Sequence, residues 1–129
     1  MRYLLDTHTL LWWRKDDRRL PHRLDKILGD PIKNEVLVSM ASLWEITIKH
    51  ALGKLKIDGP VGEFAESLRA VQGFQILPVE VPHLSRLATL PAHHGDPFDR
   101  LLIAQAIEER ATAITNDRNW KMYPVKIRW

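Results

Sequence analysis

Val36-Leu37-Val38-Ser39-Met40-Ala41-Ser42-Leu43-Trp44-Glu45 is the stretch that decides the fold. Its first three residues are apolar without interruption, the pattern of a strand buried on both faces rather than one with a solvated side. The chain then passes without a turn signal into a helical stretch from about Ala41 to Leu52, which Gly53 stops. Upstream, Tyr3-Leu4-Leu5 is a second short apolar run, ended by Asp6 and Thr7, and Leu10, Leu11, Trp12 and Trp13 suggest a helix packed on it. The charged segment Arg14 to Arg19 reads as an exposed connection, and Leu20, Leu24, Ile27 and Leu28 recur at helical spacing until Gly29 and Pro31.

Downstream, Gly59 and Pro60 introduce an amphipathic segment with Val61, Phe64, Ala65 and Leu68, and Phe74 to Pro78 reads as a third strand. A shorter helix follows with Leu84, Leu87, Ala88 and Leu90. The longest helical pattern runs from Pro97 to about Arg110, Ala113-Ile114 is a fourth strand, and Val125 to Ile127 is a candidate fifth. Strands alternating with helices predict an α/β domain: a three-layer α/β/α sandwich with a mainly parallel sheet of four to five strands and right-handed crossovers. At 129 residues, with no repeat or low-complexity tract, a single domain over 1–129 is expected.

Composition narrows the chemistry. Hydrophobic residues at 45% and charged residues at 27% place the chain among folded globular proteins rather than disordered ones. With no cysteine there is no disulfide framework and no thiolate metal site, so any metal must be held by oxygen or imidazole. Asp6 falls where a signal peptide would continue its apolar run, and no stretch is long enough to span a bilayer, so a soluble cytoplasmic protein is expected. The net charge of +3 is compatible with a polyanionic partner without requiring one.

Four acids stand out by position. Asp6 follows Leu4-Leu5 and Asp117 follows Ala113-Ile114-Thr115-Asn116, so both fall at carboxyl ends of strands, where open α/β sheets bind ligands. Each is equally a helix cap or turn acid. Glu45 lies in a helix that is apolar almost all round, where an i,i+4 pair with Lys49 is the structural alternative to a functional role. In His93-His94-Gly95-Asp96-Pro97-Phe98-Asp99-Arg100, Asp96 can cap a helix with Pro97 first and Asp99 third. Asp99 shares a face with Leu102, Ile103 and Ala106, so its carboxylate should point inward, where a cation would compensate it.

Such a cluster of hard oxygen ligands favours Mg²⁺, with Mn²⁺ as a substitute, and a metal site of this type can activate water toward a phosphodiester. Thr115 and Asn116 are placed to orient Asp117 or a water, and Ser39 and Ser42 to do so near Glu45, although residues of these types are more often ordinary turn or cap residues. Arg100 and Lys49 are candidate phosphate contacts, with surface ion pairing as the alternative. His83, His93 and His94 lack the i,i+4 spacing of a helical zinc pair and an obvious third ligand, which argues against zinc. The apolar neighbours of Trp12, Trp13 and Trp44 favour packing over base stacking.

These motifs resemble those of PIN-domain toxins of the VapC type over nearly the whole chain. Leu4-Leu5-Asp6-Thr7-His8 is similar to the first motif, Ser39 with Ser42-Leu43-Trp44-Glu45-Ile46, Lys49 and Gly53-Lys54-Leu55 to the second, Asp96 through Ala106 to the third, and Thr115-Asn116-Asp117 to the fourth. The resemblance implies a metal-dependent endoribonuclease with Asp6, Glu45, Asp99 and Asp117 as the acidic quartet. Asp6 and Asp99 would coordinate Mg²⁺ directly; Glu45, Asp117 and Asp96 would do so directly or through water, with Asp96 otherwise a supporting acid. Because the third motif contains two acids, its register rests on the inward face of Asp99. The resemblance also implies an RNA substrate, a homodimer and neutralisation by a cognate antitoxin, with no membrane partner.

Two other classes remain at this point. A haloacid-dehalogenase-like phosphatase also begins with a strand ending in Asp, but its Asp-x-Asp pattern meets His8 here. A non-catalytic α/β interaction module would use the same acids only as caps.

Overall fold

Alternation along the central strands sets the layers before any helix is placed. The computed structural model describes residues 1–129, with β1 at Arg2–Leu5, β2 at Glu35–Ser39, β3 at Phe74–Leu77, β4 at Thr112–Ile114 and β5 at Ile127–Arg128. All neighbours pair in parallel in the order β3-β2-β1-β4-β5. Tyr3, Leu5, Val36, Val38, Phe74 and Ile114 join one core cluster, and Leu4, Leu37, Leu77 and Ala113 join a second on the other face. A sheet apolar on both faces needs helices on both, which is why Val36-Leu37-Val38 has no polar position.

The helices supply those layers: α1 spans Thr7–Arg14, α2 His22–Leu28, α3 Met40–Ala51, α4 Val61–Arg69, α5 Val81–Thr89 and α6 Pro97–Glu108. Leu10 of α1, Leu24 and Leu28 of α2, Leu43 and Ile46 of α3, and Phe64 and Leu68 of α4 fill the first core. Leu102, Ile103 and Ala106 of α6 fill the second with Leu90, Trp120 and Tyr123. Each fully buried Leu or Ile contributes roughly 1.5–3 kcal/mol relative to exposure.

Small departures from the expected boundaries have local causes. Helix α2 starts at His22 because Pro21 holds the extended cap position, yet Leu20 still reaches the core. Strand β5 falls at Ile127–Arg128, its pairing anchored by the Ala113 N–H on the Lys126 carbonyl at 2.8 Å, so Val125 lies ahead of it. In α5 the buried residue is His83, whereas Leu84 is exposed. A 3-10 turn at Arg118–Met122, unmarked by periodicity, seats Trp120 in the second core.

Topology then selects the place for a site. From β1 the chain crosses to β2 and β3 on one side, while β4 and β5 lie on the other, so the order reverses between β1 and β4. A crevice outside the carboxyl ends of the strands forms at such a reversal. Asp6 follows β1 and Thr115 follows β4, and the Asp6 N–H still donates to the Ile114 carbonyl at 3.2 Å, which brings the two ends together.

Two glycines test the backbone. Gly73 has φ +87, and a Cβ there would lie 3.0 Å from the Pro31 side chain, whereas Gly62 in α4 has open space. Gly73→Ala should lower unfolding free energy by about 1–3 kcal/mol, and Gly62→Ala should raise it by about 0.4–1 kcal/mol, both read by urea denaturation.

Candidate active site

Asp6, Asp96 and Asp117 are aimed by the same hydrogen bonds that cap their segments. Asp6 caps α1: one carboxylate oxygen accepts the Thr9 N–H at 2.8 Å and the other accepts the Thr115 hydroxyl at 2.6 Å. The Thr115 Oγ1 in turn accepts the Asp117 N–H at 3.0 Å, tying the β1 and β4 ends to one hydroxyl. Asp117 caps the 3-10 turn with Oδ1, which accepts the Asn119 N–H at 2.9 Å, and turns Oδ2 to His94 at 2.8 Å. Asp96 caps α6 through the N–H groups of Phe98 and Asp99, and Asp99 sits one turn into that helix with Oδ2 at 3.1 Å from His94 Nε2.

His94 joins two of these acids, and its tautomer follows from geometry. Nδ1 accepts the Asp96 N–H at 3.1 Å, so the neutral ring carries its proton on Nε2 and donates it toward Asp117 and Asp99. Ligand atoms of His94, Asp99 and Asp117 all lie within 4.8 Å of one another.

Glu45 reaches the same region from α3 and is only 3% exposed. Its Oε2 accepts the Lys49 ammonium at 2.5 Å, while Oε1 is buried without a partner. The hydrogen bond to Glu45 raises the Lys49 pKa, and the charges of Asp96 and Asp99 add to it, so this ammonium stays protonated. Burial pushes the Asp99 carboxyl up to about 7, reinforced by the negative charges of Asp96, Asp6 and Glu45 and opposed by His94. Burial also raises Asp6, against the hydrogen bonds from Thr115 and Thr9.

The structure thus brings Asp6, Asp99 and Glu45 within electrostatic reach of one another, with Asp96 and Asp117 joined to the group through His94 and the α6 cap. Ser42, buried, accepts the Thr7 hydroxyl at 3.0 Å and pins the start of α1 to α3, whereas Ser39 caps α3 and contacts Gln105. Asn116 is exposed at the rim. Lys49 is committed to Glu45. Arg100 forms no ion pair; its guanidinium donates to the Leu90 carbonyl at 3.0 Å, because the residue is half-buried under the α5–α6 connection.

The three histidines separate. His83 is buried with Nδ1 accepting the Glu80 N–H and Nε2 on Glu109, and His93 packs edge-on against Tyr123. Only His94 enters the acid cluster, and it was absent from the sequence candidates for that cluster. Its signal was its place two residues before the α6 cap, within reach of the Asp96 N–H. The tryptophans also divide: Trp13 packs on Phe74 at 4.7 Å, whereas Trp44, on Phe98 at 5.1 Å, remains 59% exposed and does not belong to the core.

Comparison with known proteins bears on the family and the fold. The PIN domain family model matches residues 3–126. Ribonuclease VapC22 of Mycobacterium tuberculosis is 26% identical over 123 residues, covering 93% of this chain and 90% of that protein. Among solved structures, VapBC2 from Rickettsia felis, bound to a DNA fragment from its promoter, aligns with a TM-score of 0.74 at 17% identity over 99% of this chain and 98% of that one. FitAcB from Neisseria gonorrhoeae aligns with a TM-score of 0.67 at 22% identity, covering 97% and 95%. At these identities the two structures speak to fold.

The raised Asp99 carboxyl makes stability depend on pH. It keeps its proton up to about pH 7 when folded but releases it near the ordinary 3.8 when unfolded, so folding takes up a proton between those values. Its stabilising contribution is full below about pH 4 and lost as pH rises through 7. Thermal melts in EDTA should therefore show the melting temperature falling from pH 5 to pH 8, and Asp99→Asn should flatten that slope. An unchanged slope in the variant would show that Asp99 does not carry it.

Proposed function

The chain belongs to the PIN-domain family, and on that premise we propose that it is a divalent-metal-dependent endoribonuclease, the toxin of a toxin–antitoxin pair. The observation that carries this reading is the convergence of carboxylates from four segments, including a buried Glu45 oxygen with no partner. A buried orphan oxygen beside a carboxyl crowded by like charges is an arrangement that a hard dication resolves. The residues therefore fit Mg²⁺, or Mn²⁺ in its place. Asp6 and Asp99 are assigned as direct ligands, with Glu45, Asp117 and Asp96 acting directly or through water.

When bound, the dication supplies a lowered pKa for water and a counter-charge for the phosphodiester. The chain's own groups do the remaining work. Thr115 holds Asp6 and the Asp117 backbone in register, and the His94 Nε2–H draws Asp117 toward Asp99. Lys49 balances one Glu45 oxygen, leaving the other buried and without a partner. As water adds to phosphorus and the P–O ester bond breaks, a carboxylate of the cluster takes up the proton that water releases, and the departing sugar oxygen leaves with the bonding pair and takes a proton from solvent.

RNA as substrate is supported by the name of the relative, Ribonuclease VapC22, and an antitoxin partner by the VapBC complexes among the structural neighbours. A homodimer is supported by α3, where Met40, Trp44 and Ile48, with Leu52 beyond its end, recur every fourth position and are all exposed. No helix is long and apolar enough to cross a membrane; with an RNA substrate, action in the cytoplasm is the location this reading assigns.

Labelled RNA incubated with the purified protein should be cut internally with Mg²⁺ and left intact with EDTA. Release of phosphate from monoesters alone would instead select the phosphatase reading, and neither activity would select the interaction module. Asp6→Asn and Asp99→Asn should each abolish cleavage with an unchanged circular dichroism spectrum, and full activity in either would overturn the assignment. Light scattering should give a dimer that Trp44→Glu converts to monomer; a wild-type monomer removes the dimer proposal.

A further inference from the structure

Beside the acid cluster opens a cleft of about 380 Å³ lined by Asp6, His8, Trp12, Arg19, Asn116 and Asp117. Two of these residues are the strand-end acids of the site itself. The other four are an imidazole, an indole, a guanidinium and an amide, the side-chain types that stack on and hydrogen-bond to unpaired bases. Resting on the nuclease reading above, we propose that this cleft is a nucleobase subsite, taking one unpaired base of the RNA strand adjacent to the scissile phosphate.

The Arg19 guanidinium carbon lies 4.9 Å from the Trp12 ring centroid, and its Nε and Nη2 donate to the two Asp17 carboxylate oxygens at 3.1 and 2.8 Å. That pairing engages the guanidinium edge and leaves the Arg19 side chain 66% exposed. A guanidinium held in this way is a stacking plane rather than a free phosphate clamp. Trp12 is braced by Trp129, edge-on at 5.9 Å, and flanked by His8 at 6.0 Å, so the platform is ordered before any ligand arrives. Ordering a platform in advance lowers the entropic cost of binding.

Charge decides which part of the strand enters. Asp17 neutralises Arg19 and no lysine lines the cleft, so beyond the acids that the nuclease reading assigns to the dication it offers a phosphate no unpaired guanidinium or ammonium. A base is uncharged and presents a π-face to the exposed side of the guanidinium, whose other side lies over the Trp12 ring. Bases inside a duplex are stacked on one another and unavailable, which makes the ligand a single-stranded segment. Because Asp6 and Asp117 belong to both the acid cluster and the cleft, a base seated here belongs to a nucleotide next to the one being cut.

The test uses one oligoribonucleotide and a series in which a single position around the cleavage site is abasic. For each, kcat and KM are measured in Mg²⁺, and Kd by fluorescence anisotropy in EDTA. Wild type should lose about tenfold in kcat/KM and in affinity at one flanking position, the scale of one base–aromatic stack. Arg19→Ala and Trp12→Leu should weaken the intact strand by a similar factor, mainly through KM, and should remove the penalty at that position. Thermal melts check that each variant is folded, and the exposed Arg19 gives a variant independent of the packing of Trp12. A penalty of the same size in both variants, or no position-dependent penalty in wild type, overturns the subsite. Failure of wild type to cut any RNA strikes the nuclease reading instead, and the anisotropy series still decides the cleft.

Discussion

Repulsion among carboxylates crowded over the ends of β1 and β4 is the constraint around which the rest of this structure is arranged. Two unit charges 4 Å apart at an effective dielectric of 20 repel by about 4 kcal/mol, a large fraction of the stability of a small domain. The chain tolerates the crowding through specific neighbours: the Thr115 hydroxyl on Asp6, the Lys49 ammonium on Glu45 and the His94 ring between Asp99 and Asp117. What those neighbours leave uncompensated appears as the carboxyl of Asp99 pushed up to about 7 and as the orphaned Glu45 Oε1. Both deficits are local to the place where the nuclease reading puts a dication.

The fold was legible where one physical requirement determined residue type. Val36-Leu37-Val38 had to be apolar at every position because both faces of β2 are covered, and the fourth strand could be placed because Ala113 and Ile114 serve opposite cores. Legibility failed where tertiary contact, rather than periodicity, chose the conformation. The 3-10 turn carrying Trp120 into the second core has no pattern of its own, and the exposed Leu84 shows that an apolar residue at helical spacing need not face inward.

The candidate site divides in the same way. The placement of Asp99 was readable because an acid on the face of Leu102 and Ile103 has few structural explanations, and Glu45 because its helix left it no solvated side. His94 was not, since a histidine ahead of a helix announces nothing until the Asp96 N–H is seen to fix its tautomer. Arg100 shows the converse: surface ion pairing was the alternative to a phosphate contact, but its guanidinium donates to the Leu90 carbonyl in the connection from α5 to α6 instead of to an acid.

Capping a segment and joining an acid cluster looked like competing explanations for these acids, and one carboxylate does both. A carboxylate has two oxygens, and for Asp6 and Asp117 one accepts a backbone N–H while the other turns to a side chain of the cluster. The cap thereby fixes the direction of the second oxygen with a charge-assisted bond that forms whenever the segment folds. Held in this way, the acids need little rearrangement to meet a cation, and the energy of gathering them is met largely during folding rather than at binding. A site built of uncapped surface acids would instead have to lose side-chain freedom at the moment the ion arrives. The dual use of Asp6 and Asp117 is therefore the reason that short, locally determined turns can hold the ends of β1 and β4 in one electrostatic arrangement.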